Sequence, residues 1–201
     1  MIRIFVEGGD REFFDTYLPF LFGANNGRWE VISAGGYTNL HKIDQQFREN
    51  TDQGGENLII FDADSPSTGG GVANRTKYLE DKLRELSLSA SIFLFPNNSA
   101  DGDYESLLVQ IVNEEHRCLL DCFDGYERCV GGYLNPDGSQ KYVTPNRKAK
   151  VYAYMESFKR SRRAREELKN GKRFFFDNPE YWNLNSPCLD PLKEFLMEHI
   201  H

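Results

Sequence analysis

Short apolar bursts alternate with longer amphipathic runs through the first half of the chain. "IRIFVEG", residues 2 to 8, reads as a buried strand ending at Gly8-Gly9. In "DREFFDTYLPFLF" the apolar positions Phe13, Phe14, Tyr17, Leu18 and Leu21 recur at helical spacing behind Asp10, a fitting N-cap. Pro19 is predicted to end or kink that helix. A second strand, Trp29 to Ser33, stops at Gly35-Gly36, and a helix from Thr38 to Asn50 carries Leu40, Ile43 and Phe47 on one face. The third strand, Asn57 to Asp62, leads through "SPSTGGG" into "NRTKYLEDKLRELSL", whose stripe is Tyr78, Leu79, Leu83 and Leu86. "SASIFLFPNN" is a fourth apolar strand closed by Pro96. Strand and helix in such alternation define an α/β fold: a parallel sheet of about four strands with flanking helices.

The second half has another character. "DYESLLVQIV" and its continuation to Cys122 read as helix, "GGYLNPDGSQKYVTPNRK" as a hairpin around Asn135 to Gly138, and "AKVYAYMESFKRSRRAREELK" as a further helix. "SPCLDPLKEFLMEHI" is a short capped terminal helix. The expected organisation is an α/β core over residues 1–115 and a helical and hairpin elaboration over 116–201, packed together as one domain.

Composition narrows the class. With 39% hydrophobic and 27% charged residues in 201, the chain is ordinary globular protein. No run nears the roughly 18 apolar residues of a membrane span, and no secretion signal is read at the start. The four cysteines form no CxxC pairs, so no disulfide scaffold is expected and the cytoplasm is the default compartment. "CLLDC" spaces Cys118 and Cys122 for either a metal or simple packing. The formal net charge of -7 argues against binding nucleic acid by overall charge, leaving local clusters to do so.

Acidic residues fall where strands end, which is where open parallel sheets build their sites. Glu7 follows the first strand, and Asp62 and Asp64 follow the third. On an extended chain residues i and i+2 point to one side, so both aspartates are expected to reach one cation. Mg²⁺ or Mn²⁺ suits such carboxylates, which repel one another without a cation. After the fourth strand "NNSADGDYESLL" adds Asp101, Asp103 and Glu105. These either serve a second metal, Glu105 ahead of Asp103, or form a turn with an acidic helix start.

"FVEGGDREFF" joined to "LIIFDAD" resembles the Toprim domain of topoisomerases, bacterial primases, OLD-type nucleases and small RNA-maturation nucleases. The likeness covers about residues 1 to 115. Later stretches, "IFLFPNNSADGDYESLL", "KAKVYAYMES" and "SPCLDPLKEFL", resemble a small Toprim-like group related to the OLD-type nucleases. The resemblance implies a Rossmann-like sheet, with Asp62 and Asp64 as Mg²⁺ ligands and Glu7 as a further ligand or general acid/base. It implies second-site carboxylates near Glu105. The chain has room for neither the tyrosine-bearing domain of topoisomerases nor the zinc module of primases. The expected activity is therefore hydrolysis of phosphodiester bonds in DNA or RNA.

Positive charge gathers at Lys159, Arg160, Arg162, Arg163, Arg165, Lys169, Lys172 and Arg173. That run reads as a phosphate-backbone grip or as a solvated helix face. Lys148 and Lys150 are candidates for a catalytic cation at the scissile phosphate. Phe174 to Phe176, Tyr181 and Trp182 read as core before base-stacking surface. The glycine pairs after the strands permit close phosphate approach or simply tight turns, and neither dinucleotide nor P-loop spacing is present. The four histidines form no metal-spaced or triad-like set. Two rival readings remain: a non-catalytic binding or regulatory module of the same fold, and a nucleotide-sugar transferase using "DAD" as its metal motif. A phosphatase with a nucleophilic DxD fits less well, since that motif ends the first strand.

Overall fold

The computed structural model describes residues 1–169 and 173–201. Four strands, β1 (Ile2–Val6), β2 (Trp29–Ser33), β3 (Glu56–Asp62) and β4 (Ser91–Phe95), form one sheet in the order β2-β1-β3-β4. Every pairing is parallel. With helices on both faces, this is a Rossmann-like α/β fold.

The strands are apolar nearly throughout because both faces are covered. On one face Phe5, Ile59, Phe61 and Leu94 pack with Phe47 of α2 (Asp44–Asp52) and with Leu79 and Leu83 of α3 (Val72–Leu86). Phe5 and Phe47 stack with centroids 3.7 Å apart. The opposite face meets α1 (Arg11–Phe22), where Phe14 lies 6.2 Å from Phe95 between ring centroids. The terminal helix α8 (Asp190–His199) joins that face, with Phe195 5.4 Å from Phe93. Labels α4 to α7 denote Tyr104–Leu108, Cys118–Gly131, Arg147–Glu156 and Arg162–Lys169.

The chain divides into two compact units, Met1–Leu107 with Leu184–His201, and Leu108–Asn183. Residues 184–201 thus count with the sheet. The second unit is held by Val112 bridging Trp182 and by the Tyr154 hydroxyl donating to the Tyr181 carbonyl at 2.6 Å. Phe176, Tyr181 and Trp182 are buried, as the core reading expects.

Several expected elements are divided differently. Pro19 does not end α1, which runs on to Phe22 and closes with the Gly23 amide on the Pro19 carbonyl at 2.9 Å. Proline there removes one amide donor and crowds the carbonyl of Asp15, yet the helix continues through it for another turn. The helix expected over 38–50 is a 3₁₀ turn, Tyr37–Lys42, followed by α2, because Ile43 (φ -121°) leaves helical geometry. The long helix expected up to Cys122 is α4, a 3₁₀ turn at Glu114–His116, and α5. The basic helix is also two, α6 and α7. The hairpin turn is present, with Leu134 bridging Gln140. Cys118 and Cys122 are exposed on α5. Among the described residues no helix is long and apolar enough to cross a membrane.

Candidate active site

The strand order reverses direction between β1 and β3. β2 lies on one side of β1, while β3 and then β4 extend on the other. Outside the carboxyl ends of two such strands the flanking loops part and leave a crevice. Glu7 follows β1 and Asp62 ends β3, and the register Val6↔Ile60 sets them beside each other. Glu7 Oε1 accepts the Asp62 amide at 3.1 Å, and Asp62 Oδ1 accepts the Tyr104 amide at 2.7 Å. One chain of bonds therefore ties β1, β3 and the start of α4.

Asp10 is a member that the sequence pattern disguised as a helix cap. It stands at the cap position of α1 but makes no side-chain cap bond. Its buried Oδ1 turns back to accept the Gly8 amide at 2.9 Å. Burial pushes the Asp10 carboxyl up to about 6, against the local amides and with Glu105 adding to the rise. Burial also pushes Asp62 up to about 8, with Glu7 next in effect, the Tyr104 amide opposing, and Asp10 and Glu105 adding. Glu7 is raised by burial too, opposed by the Asp62 amide and Arg75, and raised further by Asp64 and Asp10. Glu7, Asp10, Asp62, Asp64 and Glu105 thus share one electrostatic field.

Asp64 departs from the extended geometry expected of it. Its φ is +61°, so the strand alternation ends at Asp62 and the two aspartates take different partners. Asp64 bridges Gly102, donating its amide to the Gly102 carbonyl at 2.6 Å and accepting the Gly102 amide at 3.0 Å. This fastens the 101–105 loop beside the strand end. The Asp64 carboxylate pairs with the guanidinium of Arg75. Arg75 is 6% exposed and lies over the Tyr37 ring, 3.3 Å from its centroid, with its Nε buried and without a hydrogen-bond partner among the described residues. The sequence reading missed it as one cation on a charged helix. The signal was its place four residues before Leu79 and eight before Leu83, on the buried stripe of α3.

Of the "TGGG" glycines, Gly70 is a packing position. A Cβ there would stand 2.5 Å from the Asp64 Cβ and 2.7 Å from the Ala63 carbonyl oxygen. Asp101 accepts the Val72 amide at 2.8 Å at the start of α3, and Asp103 accepts the Ser106 amide at 2.7 Å at the start of α4. Both behave as turn and helix-start residues, while Glu105 lies close enough to bear on Asp62 and Asp10.

The remaining candidates lie in the second unit. Lys150 is held by Asp124, with Glu127 at 3.9 Å, and Lys148 is exposed at the start of α6. Arg160 is internal: its guanidinium lies over Tyr181 at 4.6 Å and beside Phe158 and Phe175, and it donates to the Met155 carbonyl. Arg162 and Arg163 are 94% and 90% exposed and pair with Glu166 and Glu167 one helical turn on. Lys159 and Arg165 are exposed, and Lys172 lies outside the described residues.

Carboxylate oxygens are the donors a hard cation such as Mg²⁺ takes. In Glu7 and Asp62 the second carboxylate oxygen accepts no hydrogen bond among the described residues. By donor chemistry the set fits a divalent ion. As the side chains stand, no group of three or more His, Cys, Asp or Glu among the described residues is arranged to hold one. Gathering three carboxylates onto an ion takes side-chain rotation. No family model, curated protein or solved structure matches the chain.

Proposed function

We propose that this chain is a Mg²⁺- or Mn²⁺-dependent enzyme that hydrolyses phosphodiester bonds in nucleic acid. The observation that carries the reading is the Glu7–Asp62 contact at the strand-order reversal, where burial and then the neighbouring Glu7 push the Asp62 carboxyl up, and burial, Asp64 and Asp10 raise Glu7. A cation relieves that crowding, which favours cation binding there. The likeness of "FVEGG" and "DAD" to the Toprim pattern supports the same site.

Glu7 and Asp62 would hold the ion, Glu7 serving also as general acid/base, and Glu105 would lend its carboxylate from α4. Asp64, already paired with Arg75 through one oxygen, would be a further ligand. A bound Mg²⁺ or Mn²⁺ supplies charge stabilisation at the phosphate and a water acidic enough to act as nucleophile near neutral pH. Arg75 fixes Asp64. The test is cleavage of single- and double-stranded DNA and RNA with Mg²⁺, Mn²⁺ or chelator. Cleavage that needs the cation and is lost in Asp62→Asn supports the proposal, and activity that survives that substitution overturns the site.

A second reading has its own observation. The Arg75–Asp64 pair already neutralises one carboxylate with a protein cation, as a non-catalytic binding or regulatory module would have it. Nucleic-acid binding without cleavage, indifferent to chelator, would favour that reading.

A further inference from the structure

The second unit presents an aromatic surface that its own core does not use. Tyr133 and Tyr142 are 54% and 49% exposed, and Val143 is 91% exposed. The two rings meet edge to face, with centroids 5.7 Å apart. The loop beneath them is tightly bonded. Lys141 donates its amide to the Tyr133 carbonyl at 2.9 Å, and Asn135 donates its amide to the Ser139 carbonyl at 2.8 Å. Asp137 accepts the Ser139 amide at 2.9 Å, and Gly138 (φ +83°) closes the turn. Exposed aromatic rings on a pre-ordered loop bind with little further loss of conformational freedom.

Charge identifies the occupant. Between Arg128 and Lys148 the chain holds four Lys and Arg and a single Asp, although its formal net charge is -7. Lys141 Nζ stands 5.5 Å from the Tyr142 ring centroid, and Arg147 and Lys148 are exposed at the start of α6. Half-exposed tyrosines interleaved with cations are what an unpaired nucleic-acid strand requires: ring faces for bases and cations for phosphates. A duplex keeps its bases stacked on one another and offers no such face to a ring.

We propose that the Tyr133–Tyr142 face, with Lys141, Arg147 and Lys148, is a stacking site for single-stranded nucleic acid. It rests on the function proposed above only for the class of partner. It also moves the contact surface away from α7, where Arg162 and Arg163 are matched by glutamates, and away from Arg160, which is committed inside the unit.

The test is fluorescence anisotropy with the full chain, in chelator, using a labelled oligothymidine strand, an oligouridine strand and a duplex of equal length. Single strands are expected to bind more tightly than the duplex. The double variant Y133A/Y142A is expected to weaken single-strand binding by about tenfold or more, and Y133F/Y142F to retain it. Lys141→Ala is expected to reduce the dependence of log affinity on log salt by about one. Binding by Y133A/Y142A within about twofold of the parent chain, at an unchanged melting temperature, overturns the proposal, as does equal affinity for the duplex. Tyrosine-dependent binding without cation-dependent cleavage refutes the catalytic reading alone. Cleavage that ignores the tyrosines refutes this site alone.

Discussion

Glu7 and Asp62 stand 55 residues apart in sequence, yet the Glu7 carboxylate accepts the Asp62 amide at 3.1 Å. A side chain from one strand thus fixes the backbone at the end of its neighbour. Loss of this contact leaves a largely buried amide to find another acceptor. Glu7→Ala is expected to lower stability by about 1–2 kcal/mol in urea unfolding, offset in part by relief of the crowded carboxyls. Glu7→Gln keeps an acceptor oxygen and is expected to stay within about 0.5 kcal/mol of the parent in chelator, while losing Mn²⁺ affinity in calorimetric titration.

The raised carboxyls set a pH dependence. Asp62 sits at about 8 in the folded chain, against an ordinary 3.8. Between those values the folded state binds the extra proton, so stability falls as pH rises from about 4 toward about 8. Asp10, at about 6, works in the same direction over the lower part of that range. In chelator the melting temperature is expected to drop across this window, and Asp62→Asn to flatten the drop. A parent chain whose stability rises from pH 5 to pH 8 without divalent ions would contradict the described burial of Asp62.

Removal of Arg75 separates packing from charge. Arg75→Met loses the pair with Asp64 and the planar contact with Tyr37. Asp64 is 39% exposed, so water screens its released charge and the cost stays below that of a fully buried pair. A loss of about 2 kcal/mol is expected, or about 4–8 °C in melting temperature for a chain of this size. Arg75→Lys keeps the charge but not the flat stacking surface, and is expected to recover only part of that loss.

Gly70→Ala places a methyl against Asp64 and the Ala63 carbonyl. The expected cost is about 1–3 kcal/mol, with altered cation affinity because Asp64 must shift. A neutral outcome in both thermal melting and Mn²⁺ titration would show that the 65–71 loop yields freely.

Within the second unit, Arg160→Ala is expected to destabilise by about 1–2 kcal/mol through the lost contacts with Tyr181, Phe158 and Phe175. Arg162→Ala and Arg163→Ala, each losing only an exposed helix pair, are expected within about 0.5 kcal/mol of the parent. Thermal melts of the three variants check the contrast.

Much of this architecture can be read from the pattern of residues. Four apolar strands with helices between them imply a parallel sheet, and acids after the first and third strands imply where a site lies. The order β2-β1-β3-β4 cannot be read that way, since no local pattern says which strands pair. Asp10 escaped because a carboxylate before a helix has a commoner role as a cap. Arg75 escaped because arginine on a charged helix is ordinarily solvated, whereas here an aromatic face and a carboxylate accommodate it. The turn at Asp64 is invisible in the sequence because a left-handed aspartate looks like any other there.

The second unit's two ends are laced to each other. Val112 bridges Trp182, the Asn183 amide donates to the Ile111 carbonyl at 2.7 Å, and the Asn113 amide donates to the Tyr181 carbonyl at 2.9 Å. A segment whose two ends are bonded to each other in this way is a closed loop in the topological sense. Such a loop can lengthen, shrink or be exchanged over evolutionary time without rethreading a single strand of the sheet, all four of which lie before residue 96.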